Sequence, residues 1–142
     1  MPETLDLPPA PSAQEHCWLP CSRHSPALAR RLLRESLARV EGGERFLERA
    51  ELLVSELVTN AVLHGTKPGQ LIRLSLAADQ ERLWISVEDA SSAPPRPHIS
   101  TDGQSGRGLL LVDKLSEQWG WGPREGIGKC VWSVCTSISE EE

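Results

Sequence analysis

A carboxylate, a carboxamide and an imidazole recur at four-residue spacing within the run from Glu51 to Gly65: Glu56, Asn60 and His64. In an α-helix this spacing returns nearly to the same side, drifting about 40° per step because a turn takes 3.6 residues. The three groups share one stripe, interleaved with Leu53, Leu57 and Leu63, while Val54, Val58 and Val62 cover the far side. That is not an ordinary solvated face. Burying such groups without partners costs roughly 2 to 7 kcal/mol or more, so the row lines either a ligand cavity or an internal hydrogen-bond network. The stripe alone leaves these two readings level.

Two further segments offer complementary chemistry. Leu83, Ile85, Val87 and Asp89 point to one side of a strand, so Asp89 extends a buried apolar face. Its carboxylate can accept hydrogen bonds from a planar amino group, as adenine offers; the plainer alternative is an Asp that opens the turn at Ala90-Ser91. Gly103-Gln104-Ser105-Gly106-Arg107-Gly108 precedes a helix, where unpaired N–H groups and the helix dipole favour a phosphate. Arg107 can add a charge-assisted contact or simply face solvent. No P-loop signature occurs, and the glycines do not follow the first strand of a β-α-β unit, so P-loop and dinucleotide sites are excluded.

The elements that must position these groups follow from periodicity. Cys17-Trp18-Leu19 suits a first strand. Ser25-Pro26 reads as an N-cap and first-turn proline for a helix whose Leu28, Leu32, Leu33, Leu37 and Val40 recur at helical spacing until Gly42-Gly43. Phe46, Leu47, Ala50, Leu53, Leu57 and Ala61 extend a second helix from about Glu44 to His64, ended by Gly65 and Pro68. The period then becomes two. Ile72, Leu74 and Leu76 form one strand, and Leu83, Ile85 and Val87, alternating with Trp84, Ser86 and Glu88, form another. Residues 90 to 105 read as a long, mobile functional loop. Leu109, Leu110, Val112 and Leu115 give a third helix, and Cys130 to Cys135 a closing strand. This order predicts a two-layer α/β sandwich, with a mixed, mostly antiparallel sheet and helices on one face.

Length and composition set the outer limits. With 142 residues, 39% apolar and 25% charged, the chain suits one globular domain, expected over 14–138 between a disordered Pro-rich leader (1–13) and an acidic tail (139–142). A formal charge of -5 gives no basic field for nucleic acid. No apolar run reaches the roughly 18 residues of a membrane span, and the start resembles no secretory signal, which points to the cytoplasm. Cys17, Cys21, Cys130 and Cys135 lack the tight spacing of zinc knuckles and read as small buried thiols. Trp119, Trp121 and Trp132 are expected in the core.

The run Glu56-Leu57-Val58-Thr59-Asn60-Ala61-Val62-Leu63-His64-Gly65, then Val87-Glu88-Asp89, then Gly106-Arg107-Gly108-Leu109-Leu110-Leu111-Val112 resembles the GHKL ATP-binding superfamily, with its Bergerat-type fold. The short length and the wording of the first and last motifs are similar to the anti-sigma regulatory factors, a family of switch-protein serine kinases. The likeness spans about residues 14 to 136. It implies ATP and Mg2+ as ligands, Glu56 as general base toward a serine hydroxyl, Asn60 as magnesium ligand, and His64 beside the nucleotide. Asp89 would read adenine, residues 90 to 105 would form the ATP lid, and Gly106, Arg107, Gly108 and Leu109 would close over the phosphates. The implied partners are a sigma factor or an anti-anti-sigma-type protein, and the family allows a homodimer. A non-enzymatic, ATP-gated binding module is the alternative reading. Two positions depart from the family pattern: Ser91 stands where a glycine is usual, and Cys130 is the late-strand residue set against the usual threonine.

Overall fold

A computed structural model describes residues 14–95, 108–124 and 126–137. The expected leader and tail, most of the lid, Gly106 and Arg107 lie outside them. Among the described residues, five strands form one sheet: β1 (Glu15–Pro20), β2 (Leu71–Ala78), β3 (Arg82–Asp89), β4 (Gln118–Pro123) and β5 (Lys129–Thr136). Their order is β1-β2-β3-β5-β4. Every neighbouring pair is antiparallel. Three helices, α1 (Ser25–Leu37), α2 (Leu47–Asn60) and α3 (Gly108–Leu115), complete the α/β fold, and none is long and apolar enough to cross a membrane.

Strand parity holds as the sequence predicts. Leu83, Ile85, Val87 and Asp89 are all buried, and Trp84, Ser86 and Glu88 alternate with them. Ile72, Leu74 and Leu76 continue the same face on β2, and Val131 and Cys135 on β5. The core forms where α1 and α2 cover this face. α2 touches α1 and α3 as well as β3 and β5, so Leu53 and Leu57 are buried toward one side and Val54 and Val58 toward another.

Four details differ from expectation, each for a local reason. In α1 the buried row is Ala29, Leu33 and Leu37, leaving Leu28 partly exposed; the helix stops at Leu37, before Val40. Ser25 does not cap it. Its hydroxyl donates instead to the Pro20 carbonyl at 2.6 Å, tying the helix to β1. The second helical stretch is not uniform: a 3-10 turn (Gly43–Phe46) leads into α2, and a π turn (Ala61–Gly65) ends it. Leu63 on that turn is exposed, and the Thr66 hydroxyl donates to the Ala61 carbonyl at 2.9 Å, satisfying an acceptor the helix end leaves open.

The fourth detail is β4, which the sequence reading lacks. Its six residues Gln118–Pro123 contain two glycines and a proline, which mask a period of two in Trp119 and Trp121. Both indoles pack against the core, and Trp119 Nε1 donates to Asp113 of α3 at 2.9 Å. Trp132 is also buried, on the opposite parity of β5 from Val131.

Candidate functional site

α2 and its π turn carry the polar stripe toward one end of the sheet. Asn60 is buried at 4% exposure, and Glu56 and His64 are half-buried. Among the described residues, the Glu56 carboxylate has no hydrogen bond or ion pair. By contrast, Glu51, earlier on the same helix, pairs with Arg34 at 3.3 Å. The π turn is the feature that plain helical spacing misses. It lengthens the hydrogen-bonded loop to i→i+5 and recurs at functional sites, so His64 and Gly65 leave the helical register of Glu56 and Asn60.

Gly65 meets Asp89. A Cβ built on Gly65 would stand 2.1 Å from Asp89 Oδ2 and 2.3 Å from its Cγ, so only glycine lets the helix end approach the carboxylate this closely. Gly128 has the same role on the other side. At φ +125°, its Cβ would lie 2.1 Å from the Asp89 carbonyl oxygen. The backbone after Asp89 is held by short hydrogen bonds. The Ser91 N–H donates to Asp89 Oδ1 at 2.9 Å, the Ala93 N–H to Ser91 Oγ at 3.1 Å, and the Gly128 N–H to Ser92 Oγ at 3.3 Å. Ser91, the departure from glycine, thus anchors this turn through its hydroxyl.

The second departure is corrected by the register of β5. Cys130 lies across from Glu88, on the sheet face away from Asp89, and Lys129 is the residue opposite Asp89. The Lys129 ammonium sits 3.0 and 3.1 Å from the two Asp89 oxygens. Both residues are 1% exposed. Burial pushes the Asp89 carboxyl above the usual aspartate range, while the Ser91 amide and Lys129 pull it back down. Sequence reasoning missed Lys129, although a signal existed: the inward parity of Val131 and Cys135 also turns position 129 inward.

Around this centre, a cavity of about 300 Å³ opens between the π turn and the residues after Asp89, lined by His64, Gly65, Thr66, Lys67, Gln70, Ala90 and Ser91. A wider groove of about 730 Å³ near Trp18, Arg73 and Glu88 lies on the other sheet face and holds none of the predicted site residues. α3 begins at Gly108 and packs on α2, which brings Leu109 to the helix layer of the stripe.

The arrangement fits a nucleotide with magnesium. A buried carboxylate that Gly65 lets the helix end approach suits a base edge, and the Asn60 carboxamide carries one hard oxygen. Among the described residues no group of three or more His, Cys, Asp or Glu forms a metal cage, and magnesium typically takes one or two protein oxygens plus phosphates and waters.

The cysteines play no visible part. Burial pushes the Cys130 thiol up to about 11 and the Cys135 thiol up to about 12, so both stay protonated at neutral pH, unlike nucleophilic thiols. With a thiol reagent at pH 8, the native protein is expected to leave these two unmodified, whereas all four react in denaturant. Fast modification of Cys135 without denaturant would contradict the burial. Because these values are raised on folding, the stability they add is present below about pH 9 and is lost as pH rises through 11 to 12.

No curated protein matches this chain. Among solved structures, it is similar to the crystal structure of the RsbU and RsbW domains of Rv1364c from Mycobacterium tuberculosis, with a TM-score of 0.60 and 24% identity. That match covers 91% of this chain and 34% of the other, so the chain spans about a third of that protein's length; at this identity the likeness speaks for the fold. The model of the histidine kinase-like ATPase domain matches residues 22–134, from just before α1 into β5 and across every element that meets at Asp89. On that span, the chain belongs to the histidine kinase-like ATPase family.

Proposed function

We propose that this protein is an ATP-binding regulator of the anti-sigma-factor kind that phosphorylates a serine or threonine of an anti-anti-sigma-type partner. The observation that carries this reading is the order of groups along one path. Asp89 meets the π turn at Gly65, Asn60 precedes that turn, and Glu56 lies one helical turn further, about 6 Å along the axis. A nucleotide laid along the path has its base at Asp89, its phosphates near Asn60, and its terminal phosphate toward Glu56. The RsbW domain in the structural neighbour supports the choice of partner class.

Each residue then has one task. Asp89 accepts hydrogen bonds from the adenine amino group. Asn60 would hold Mg2+, with His64 beside it; Gly108 and Leu109 at the start of α3, together with Gly106 and Arg107 before them in sequence, would serve the phosphate oxygens. Among the described residues Glu56 has no competing partner, which suits it to accept the proton of an incoming hydroxyl. The bound nucleotide and metal supply the phosphoryl group and neutralise its charge, which leaves the protein mainly positioning and electrostatics.

Titration calorimetry tests the nucleotide half. The native protein is expected to bind ATP only weakly without magnesium and tightly with it. Asn60→Ala should remove the magnesium dependence while the fold persists. If the folded native protein gives no heat and no thermal shift with millimolar ATP, the proposal fails at its first step.

A further inference from the structure

Lys129 is a large, fully buried side chain that the phosphoryl-transfer reading leaves unused. Among the described residues Asp89 is its only partner, yet an ammonium carries three donors. Asp89 also has acceptor capacity in reserve. A carboxylate offers about four lone-pair sites, and among the described residues only the Ser91 N–H and Lys129 use them. As a stabilising device the pair is a poor choice, because desolvating two charges offsets their attraction and a well-packed apolar pair often serves the fold as well.

An adjacent acceptor and donor, both dehydrated and fixed, are well suited to recognising a partner that presents a donor beside an acceptor. The Watson–Crick edge of adenine does this, with its exocyclic amino group next to the ring acceptor N1. Guanine reverses the order, with a carbonyl at C6 and an N–H at N1. Resting on the reading that this pocket takes ATP, we propose that Lys129 is a second base-reading residue, donating to adenine N1 while Asp89 accepts from the amino group. A guanine placed the same way sets its carbonyl against the Asp89 carboxylate and its N–H against the ammonium. Sites built around such pairs reject the mismatched partner strongly.

Two nucleotides and two proteins test this. Lys129→Met leaves Asp89 buried and unpaired, so weaker binding by that variant alone would also follow from a disturbed fold. The analogue 1-deaza-ATP, with C–H in place of N1, changes the ligand and leaves the protein intact. In calorimetric titrations with magnesium, the full-length native protein is expected to bind ATP about tenfold or more tightly than 1-deaza-ATP. In Lys129→Met the ratio should fall to about one. Equal affinity of the native protein for the two nucleotides overturns the proposal. So does tighter ATP binding by Lys129→Met, which would mean that the lysine occupies the place of the base. If the native protein binds neither nucleotide, the ATP reading itself fails, before any comparison between them.

Discussion

Gly65→Ala is expected to lower unfolding stability by about 1–3 kcal/mol and to weaken ATP binding at least about tenfold. The cause is a single contact. The added methyl would stand 2.1 Å from Asp89 Oδ2 and 2.3 Å from its Cγ, and the carboxylate has no easy retreat. The Ser91 amide and the Lys129 ammonium hold it, and Gly128 presses on the same residue's carbonyl. Either the π turn lifts away or Asp89 swings out of its pairing, and both spoil the site. Denaturant unfolding of the native protein, Gly65→Ala, Asp89→Ala and the double variant isolates the clash. Because the methyl collides with the Asp89 side chain, its cost should shrink by about 1 kcal/mol or more once that side chain is removed. Simple additivity would mean that the glycine matters for something other than this approach.

The sheet was legible where one face is buried and the other is not. Alternation in β2 and β3 set the parity of Asp89 correctly, because a one-residue slip would have turned Leu83, Ile85 and Val87 to the wrong face. β4 was illegible because glycine and proline hide the two tryptophans that define its inner face. The α1 stripe was right at Leu33 and Leu37 and wrong at its edges, Leu28 and Val40, because Arg, Leu and Ala alternate so densely that several faces look apolar. Only tertiary contact selects Ala29, Leu33 and Leu37.

The site divides the same way. Glu56, Asn60, His64 and Asp89 could be picked out by residue type and spacing, since polar groups set among aliphatic ones are unusual. The approach of the helix end to Asp89 could not, because it depends on the π turn and on the absence of a side chain at Gly65. Lys129 was overlooked for a different reason, despite the inward parity of its strand. A lysine at the start of a strand reads as solvated, and its pairing with Asp89, forty positions earlier, is what lets it be buried.

Glu56→Gln is expected to lower phosphoryl transfer to the partner by about 10²- to 10⁴-fold, the usual contribution of a positioned general base. Nucleotide affinity should remain within about threefold of native, since by this reading the residue touches the attacking hydroxyl rather than the base or the metal. The substitution is nearly isosteric. The side chain is half-buried on α2 and has no partner among the described residues, so replacing its charge orphans nothing and stability should change by no more than about 0.5 kcal/mol. Single-turnover transfer of labelled phosphate, measured beside calorimetric binding of both nucleotide and partner, separates the two functional readings. Lost transfer with intact binding identifies Glu56 as the base of a kinase. If the native protein binds ATP and partner but transfers no phosphate, and Glu56→Gln behaves identically, the pocket works as a nucleotide-gated switch in which occupancy selects the partner-binding conformation. In that case the Glu56 carboxylate on α2 has no catalytic role.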